Sequence, residues 1–88
     1  MYSLEIEKRV YEKFNKLSKK DKSQLECINS KIQQILANPH HFKPLRFSMA
    51  GLYHAHIMKS FVITYRIDEK TKTVIIIDYD HHDKIYKH

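Results

Sequence analysis

Two histidines that stand two positions apart, His54 and His56, are the first candidates for chemistry in this sequence. Residues two apart on a strand leave the same face of the sheet, so both imidazoles would point to one side. The pKa of an imidazole lies near neutral pH, which lets the side chain accept or donate a proton under working conditions. The pair is therefore a candidate for general acid–base catalysis.

A second cluster of titratable side chains follows near the carboxyl end, in the run from Asp80 to Asp83. Two aspartates flank two histidines there, and a carboxylate beside a histidine can fix its tautomer and raise its basicity. The apolar pair Ile85 and Tyr86 comes next. The alternative interpretation is a polar chain end that Ile85 and Tyr86 tether to the core.

Three interpretations of the two clusters remain open. In the first, His54 and His56 form half of a metal site, which residues of the second cluster complete: Asp78, Asp80, His81, His82 or Asp83. The spacing matches no known zinc signature. In the second, the histidines move protons during cleavage of an RNA phosphodiester, whose own 2′-hydroxyl is the nucleophile. In the third, His54 and His56 are simply exposed strand residues.

Basic and aromatic side chains elsewhere could hold the rest of a nucleic acid. Lys43 and Arg46 lie around Pro44 and are candidates for phosphate contacts, with a solvated loop as the alternative. The turn between the two predicted helices could contact backbone phosphates or be solvated, and it is rich in lysine: Lys16, Lys19, Lys20 and Lys22. Phe61 could stack on a base, but its place in an alternating apolar pattern favours the core.

The composition is that of one globular domain with a basic surface. The 88 residues include 16 Lys and Arg against 10 Asp and Glu, a formal charge of +6, and 42% are hydrophobic. That balance excludes collagen-like, low-complexity and wholly disordered chains. The excess of positive charge points to a polyanion such as nucleic acid, or to nothing more than a lysine-rich surface.

The same sequence carries no sign of membrane insertion or of disulfide bonding. No run approaches the ~20 apolar residues of a membrane-spanning helix, and the first residues do not have the basic and apolar regions of a secretion signal. A lone Cys27 excludes an internal disulfide and a cysteine-based zinc site. We therefore expect a soluble, cytoplasmic protein with a single domain over residues 1–88 and no membrane partner.

The first half of the chain predicts one strand and two helices. Alternation over residues 2–7 indicates a half-buried strand. Helical spacing of apolar residues begins at Lys8 and ends near Ser18. A second helix, capped by Ser18 or Asp21, would run until Pro39 ends it. Since the link between the helices is very short, they should pair as an antiparallel hairpin.

The second half predicts three strands, over residues 53–58, 61–67 and 74–77. The order strand, helix, helix, strand, strand, strand predicts an α+β fold. In this fold a helical hairpin covers one face of a four-stranded, mainly antiparallel sheet. Ala55 and Ile57 would meet the helices, and His54 and His56 would then lie on the uncovered face.

Four short motifs, taken in order, resemble those of the RelE/ParE superfamily of toxins from toxin–antitoxin systems. They are Lys43-Pro44-Leu45, Gly51-Leu52-Tyr53, the strand from Phe61 to Asp68, and a histidine-containing tail that closes with Ile85-Tyr86. Each motif is weak alone, but their order and spacing together are fairly specific. The resemblance extends over nearly the whole chain, and the predicted order of elements agrees with it.

The ribonuclease branch of that superfamily implies a function. Similarity to it implies an endoribonuclease that depends on the ribosome, cuts translated mRNA and uses no metal or other cofactor. A cognate antitoxin silences such a toxin. For this basic chain we expect an acidic, partly disordered antitoxin that orders on binding, and a toxin–antitoxin heterotetramer is one arrangement that the resemblance allows.

The resemblance also implies roles for single residues. A YafQ-like subgroup has histidines at the positions of His56 and His82, which makes these two the proton-transfer pair, with His82 as the donor. His54 and Tyr86 would assist. Four basic side chains would bind the substrate: Lys43, Arg46, Lys59 and Arg66. Many RelE-like toxins have an arginine where this chain has Val62, so other cations must supply the charge that a valine cannot.

Two other functions remain open. A ParE-like toxin would have the same fold and would inhibit DNA gyrase without hydrolysing anything, although the seven histidines favour a role for titrating side chains. A catalytically weak relative would act only within an antitoxin-bound repressor complex, and the valine at position 62 favours that alternative.

Overall fold

The structure, a computed structural model, describes residues 1–45 and 51–85. The elements are β1 (Ser3–Ile6), α1 (Lys8–Lys20), α2 (Lys22–Ala37), a 3-10 turn (Pro39–His41), β2 (Lys43–Pro44), β3 (Tyr53–Ile57), β4 (Phe61–Asp68), β5 (Thr73–His81) and α3 (His82–Ile85). This order confirms the predicted α+β arrangement of one strand, a helical hairpin and three strands, and it adds the short elements β2 and α3.

The sheet has five strands in the order β1-β5-β4-β3-β2. β1 pairs in parallel with β5, whereas the other three pairs are antiparallel. The strand that the sequence did not predict is β2, in which Lys43 pairs with His54 and Pro44 with Tyr53. Two residues are too few to show an alternating pattern, and the proline is tolerated because β2 is an edge strand.

β5 continues four residues beyond its predicted end at residue 77. Its later half pairs with β4 on one side but has no strand on the other side, because β1 ends opposite Ile76. Arg9 Nη2 donates a hydrogen bond to Ile77 O at 2.7 Å, and Lys13 Nζ donates one to Tyr79 O at 2.7 Å. These two cations of α1 satisfy carbonyl groups on the open edge, so the strand persists into its polar part.

The boundary between the two helices is set by Asp21. Its Oδ1 accepts a hydrogen bond from the backbone N–H of Gln24 at 3.0 Å and so caps α2. Ser18, the alternative cap, lies inside α1, where its hydroxyl donates to Asn15 O at 2.6 Å. α1 therefore ends two residues later than predicted. Within residues 1–45 and 51–85, no helix has the length and hydropathy needed to span a membrane.

The main core lies between the two helices and one face of the sheet. The helices contribute Val10, Phe14, Ile28, Ile32, Ile35 and Leu36. The sheet contributes Ala55, Ile57, Ile63, Tyr65, Val74, Ile76 and Tyr79. Burial of Ala55 and Ile57 confirms the predicted orientation of β3, and the alternation of side chains places His54 and His56 on the opposite face.

That opposite face is partly covered, whereas the sequence predicted an uncovered face. Val62 and Thr64, the β4 partners of His56 and His54, are both buried. Ile85 of α3 is buried too, outside the main core cluster, and α3 contacts β4 and β5. The turn of helix at the end of β5 therefore covers part of this face and leaves a narrower opening at the histidines.

Candidate active site

A pocket of about 550 Å³ opens beside β3, between the segment that leads into β2 and the start of α3. It is lined by His41, Phe42, Lys43, His54, Ala55, His56 and His82. We call this space the histidine pocket. Four of its lining residues are histidines, and they come from three separate stretches of the chain, so the fold concentrates imidazole side chains, which can donate and accept hydrogen bonds.

The structure brings His54, His56 and His82 together. The ring centroids of His56 and His82 are 6.0 Å apart, and their planes are tilted by 30°. The centroids of His54 and His56 are 5.3 Å apart, with the planes at 76°. A phosphate group placed in the histidine pocket can therefore contact the imidazoles of His56 and His82 at once.

A backbone contact sets the position of His82. Its N–H donates a hydrogen bond to Ser60 O, in the turn between β3 and β4, at 2.7 Å. In that turn Met58 and Lys59 have positive φ angles of 51° and 70°, which residues other than glycine seldom adopt. The turn thus joins the start of α3 to the end of β3, where His56 lies.

His54 is held in its neutral form. Burial lowers the pKa of His54, and the nearby positive charges of His56, Lys43 and His82 lower it further. A neutral imidazole has one nitrogen that donates and one that accepts a hydrogen bond. His54 is therefore suited to hold or orient a neighbouring group, while His56 and His82 are exposed to the solvent and to a substrate.

The two carboxylates that flank the second histidine cluster do little to orient His82. Asp83 Oδ1 lies 3.5 Å from His82 Nδ1, and Asp83 Oδ2 lies 3.7 Å from His81 Nδ1. The Asp83 side chain is 82% exposed, so water screens both interactions. Asp80 is turned towards Lys13 Nζ, at 3.3 Å. Of the two aspartates, only Asp83 lies close enough to His82 to influence its tautomer, as predicted, and this influence is weak.

The predicted phosphate-binding residues differ in their positions. Lys43 lines the histidine pocket and is the strand partner of His54. Lys59 lies in the β3–β4 turn, next to the residue that holds His82, but it does not line the pocket. Arg66 pairs with Ile75 and is four residues from Val62 along β4, or about 13 Å.

Arg66 therefore does not line the histidine pocket: it shares a sheet face with the histidines but lies near the other end of the strand. Its role in substrate binding stays a prediction and has no part in the arrangement of the pocket. Arg46 and Tyr86, which were also predicted to act, lie outside the described residues.

Three lining residues were not among the predicted site residues: His41, Phe42 and Ala55. His41 and Phe42 form the wall opposite β3, with their rings 5.3 Å apart in an edge-to-face arrangement. The signal in the sequence was their position directly before Lys43. Val62, the residue that replaces an arginine of many RelE-like toxins, is fully buried and pairs with His56, so this position belongs to the packing beneath the site.

The first interpretation of the histidine clusters, a metal site, receives no support from the geometry. Across residues 1–45 and 51–85, no group of three or more histidine, cysteine, aspartate or glutamate side chains is arranged to hold a metal ion. The arrangement instead offers two adjacent exposed imidazoles, one neutral imidazole and one ammonium group.

Comparison with known proteins gives a consistent assignment. The family model described as the ParE toxin of the type II toxin–antitoxin system, parDE, matches residues 4–86. A protein of Methanocaldococcus jannaschii named "Putative toxin RelE4" is 47% identical over 99% of this chain and 93% of that protein.

Solved structures agree with this match. The RelBE2 toxin–antitoxin complex of Mycobacterium tuberculosis contains a chain that is 25% identical, with a TM-score of 0.77 over 92% of this chain and 98% of that one. The YoeB/ParE toxin from Agrobacterium tumefaciens has the same fold, with 20% identity and a TM-score of 0.82 over 91% of this chain and 98% of that one. The chain therefore belongs to the ParE toxin family of type II toxin–antitoxin systems, within the RelE/ParE superfamily.

Proposed function

We propose that this toxin is a ribosome-dependent endoribonuclease that cuts mRNA in the cytoplasm. The observation that carries the proposal is the distance of 6.0 Å between the rings of His56 and His82, in a pocket that also holds the ammonium group of Lys43. Cleavage of RNA by its own 2′-hydroxyl, a transesterification, needs one base, one acid and positive charge around the phosphate. The histidine pocket contains all three.

In the proposed reaction, neutral His56 accepts the proton of the 2′-hydroxyl as its oxygen attacks the phosphorus. Protonated His82 donates a proton to the 5′-oxygen as the bond from phosphorus to that oxygen breaks. The products are a 2′,3′-cyclic phosphate and a 5′-hydroxyl. Because the imidazoles supply both proton transfers, the reaction needs no metal ion.

Other side chains orient the phosphate in this proposal. Lys43 contacts it from the β2 side of the histidine pocket, and neutral His54 holds the neighbouring groups in place. Lys59 assists from the turn between β3 and β4, and Arg46 and Tyr86 also assist in this proposal. With valine at position 62, the pocket has one cation fewer than it would have with an arginine there. The ribosome offsets this by holding the mRNA with its 2′-hydroxyl in line for attack, which contributes through geometry.

We also propose a cognate antitoxin that is acidic and partly disordered when free. The charge of +6 on this chain favours such a partner, and a similar chain was solved within a toxin–antitoxin complex. A segment that orders on binding can cover a large surface of a small domain. Assembly of two toxins and two antitoxins into a heterotetramer is part of the same proposal.

The test is to incubate the purified protein with translating ribosomes and to map the mRNA ends by primer extension. We expect new ends with the wild type and none with the double variant His56→Ala, His82→Ala. His81→Gln is the matched control, because His81 is adjacent to His82 but does not line the histidine pocket. Equal transcripts with the wild type and the double variant would rule out the proposed mechanism.

Inhibition of DNA gyrase is the second candidate function, because the matching family model is that of a ParE toxin. The fold would be the same, and the histidines would have no catalytic part. A supercoiling assay with purified gyrase separates the two candidates. Inhibition that survives in the His56→Ala, His82→Ala double variant, together with intact mRNA, would assign this chain to the gyrase inhibitors.

A catalytically weak member of a repressor complex is the remaining alternative, and the valine at position 62 supports it. Growth arrest after induction of the wild-type toxin without antitoxin would exclude this alternative, since a protein that acts only within the complex has no reason to stop growth.

A further inference from the structure

A second concave surface lies at the same end of the sheet as the histidine pocket. It has a volume of about 360 Å³ and is bounded by α1, the start of β4, the end of β5 and α3. Its rim contains Lys16, Lys20 and Lys84, and its floor contains Leu17, Phe61 and Tyr79. We call it the lysine groove. The proposed reaction uses none of these six residues.

The ammonium groups on the rim are available to a ligand. Lys16 and Lys20 are exposed and lie one helical turn apart, about 5–6 Å between their Cβ atoms. With Lys84, they form no ion pair inside the part of the chain that the structure describes. The charge of Lys84 does act on Asp80, a carboxylate that also lines the groove. Lys13, which also lines the groove, differs, since its Nζ is held by Tyr79 O at 2.7 Å and by two aspartates.

The floor of the lysine groove is rigid and aromatic. The rings of Phe61 and Tyr79 stack with centroids 5.6 Å apart and planes 13° apart. The Tyr79 hydroxyl donates a hydrogen bond to Gln24 Oε1 at 2.5 Å, which fixes its ring from below. Phe61 remains half exposed. Aromatic floors with cationic rims are typical of surfaces that bind single-stranded nucleic acid without reading its sequence.

The lysine groove and the histidine pocket are neighbours across α3. His82 at the start of α3 lines the pocket, and Lys84, two residues later, lines the groove. Phe61 is next in sequence to Val62, the strand partner of His56, so the side chains of Phe61 and Val62 point to opposite faces of β4. The lysine groove therefore lies on the helix side of the sheet, and the histidine pocket lies on the other side. A strand of RNA that leaves the pocket must therefore pass over the single turn of α3 to reach the lysine groove.

We propose that the lysine groove binds the single-stranded RNA on one side of the scissile phosphate. Phosphates contact Lys16, Lys20 and Lys84, and a nucleobase lies against Leu17 and the exposed part of Phe61. The inference rests on the proposed ribonuclease function, since it extends the substrate of the histidine pocket. The closeness of the two sites across the single turn of α3, together with the aromatic floor of the groove, favours RNA over an acidic peptide as the occupant.

The test uses oligonucleotides of 2′-O-methyl RNA, which bind but cannot be cleaved, in fluorescence anisotropy titrations at several salt concentrations. Wild-type protein should bind a 9-mer more tightly than a 3-mer. In the variant Lys16→Ala, Lys20→Ala, we expect most of that gain to disappear, about tenfold or more, and the salt dependence of log K to become shallower by about 1.

The matched control is Lys8→Ala, Lys70→Ala, which also lowers the formal charge from +6 to +4 but removes lysines outside the groove. Equal affinities for the two variants would overturn the proposal, and so would a wild-type protein that binds both lengths alike. If the groove variant keeps its RNA affinity and loses only its binding of an acidic antitoxin, the lysine groove binds the antitoxin peptide and not RNA.

The design separates this proposal from the ribonuclease proposal. The variant His56→Ala, His82→Ala should keep the gain in affinity from the 3-mer to the 9-mer, because the lysine groove is intact in it. If the wild-type protein shows this gain but cuts no mRNA, the result supports RNA binding by the lysine groove and contradicts the cleavage mechanism.

Discussion

At the scale of single residues, the proposed reaction needs two imidazoles that carry different numbers of protons at the same moment. His82 must be protonated to act as the acid, and His56 must be neutral to act as the base. Burial lowers the pKa of the third imidazole, His54, and positive charge on His56, Lys43 or His82 lowers it further. His54 therefore favours its neutral form and is not the acid of the proposed reaction.

His54 should make the stability of the protein depend on pH. The fold lowers its pKa, so the unfolded chain, with the ordinary value near 6.5, takes up the proton more readily. The contribution of neutral His54 is fully present above about pH 6.5 and is lost as the pH falls through its pKa in the folded state. In His54→Gln, urea denaturation should therefore show a smaller loss of unfolding free energy between about pH 7.5 and 5.5.

His40→Gln is the control for this prediction. His40 is exposed, and its Nε2 lies 2.7 Å from Glu69 Oε1, so its removal should not reduce the loss of stability in acid. The prediction is wrong if His54→Gln and wild type lose the same free energy over this range of pH.

At the scale of the elements, one side chain decides where the helical hairpin turns. Asp21 accepts hydrogen bonds from both the backbone N–H and the side-chain amide of Gln24. Gln24 is buried and in turn accepts the hydrogen bond of Tyr79. The cap of α2 is thus connected to β5 and to the floor of the lysine groove.

Asp21→Ala should lower the free energy of unfolding by about 1 kcal/mol, the usual cost of losing an N-cap. Asp21→Asn should restore most of it, since the amide oxygen can still accept the hydrogen bond. Ser18, the alternative cap three residues earlier, does not cap α2. Ser18→Ala should therefore leave the free energy of unfolding within about 0.5 kcal/mol of wild type. Chemical denaturation measures all three, and equal losses for Asp21→Ala and Ser18→Ala would contradict the assignment.

The longer elements could be predicted from the sequence, because α1, α2, β3 and β4 each contain enough residues to show a period of 3.6 or 2. The two short ones, β2 and α3, could not. β2 exists through its pairing with β3, and α3 begins where Ser60 O accepts the N–H of His82. Both are consequences of tertiary contacts that a local pattern does not contain.

β2 carries Lys43 and α3 carries His82. Two walls of the histidine pocket therefore could not be predicted from the periodicity of the sequence. Alternation along β3 did predict that His54 and His56 share a face. His82 was named through resemblance to a family. The exclusion of Arg66 needed the length of β4, since a shared face says nothing about distance along the strand.

At the scale of the whole molecule, the fold is small and its main core is a single layer between two helices and a sheet. A domain of this size buries only roughly 60–65% of the surface that its unfolded chain exposes. Its net stability is of the order of 5–15 kcal/mol at most. The geometry of the histidine pocket therefore depends on nearly every large side chain in the core.

Ile63→Ala should cost about 2–5 kcal/mol, because Ile63 is fully buried in β4 and the cavity left behind cannot collapse completely. Leu4→Ala is the control, since Leu4 is 38% exposed on the edge strand β1 and its loss should cost under about 1 kcal/mol. Thermal or urea unfolding distinguishes the two. A loss in Ile63→Ala no greater than that in Leu4→Ala would contradict the described core.

The most direct test of the central claim is a double-mutant cycle on the rate of mRNA cleavage by translating ribosomes, with His56→Ala, His82→Ala and the combined variant. If the two imidazoles act as a unit on one phosphate, each single change should cost about 10²–10⁴-fold, and the combination should cost little more than either one. Two losses that simply multiply, or a rate that neither change lowers, would contradict the account.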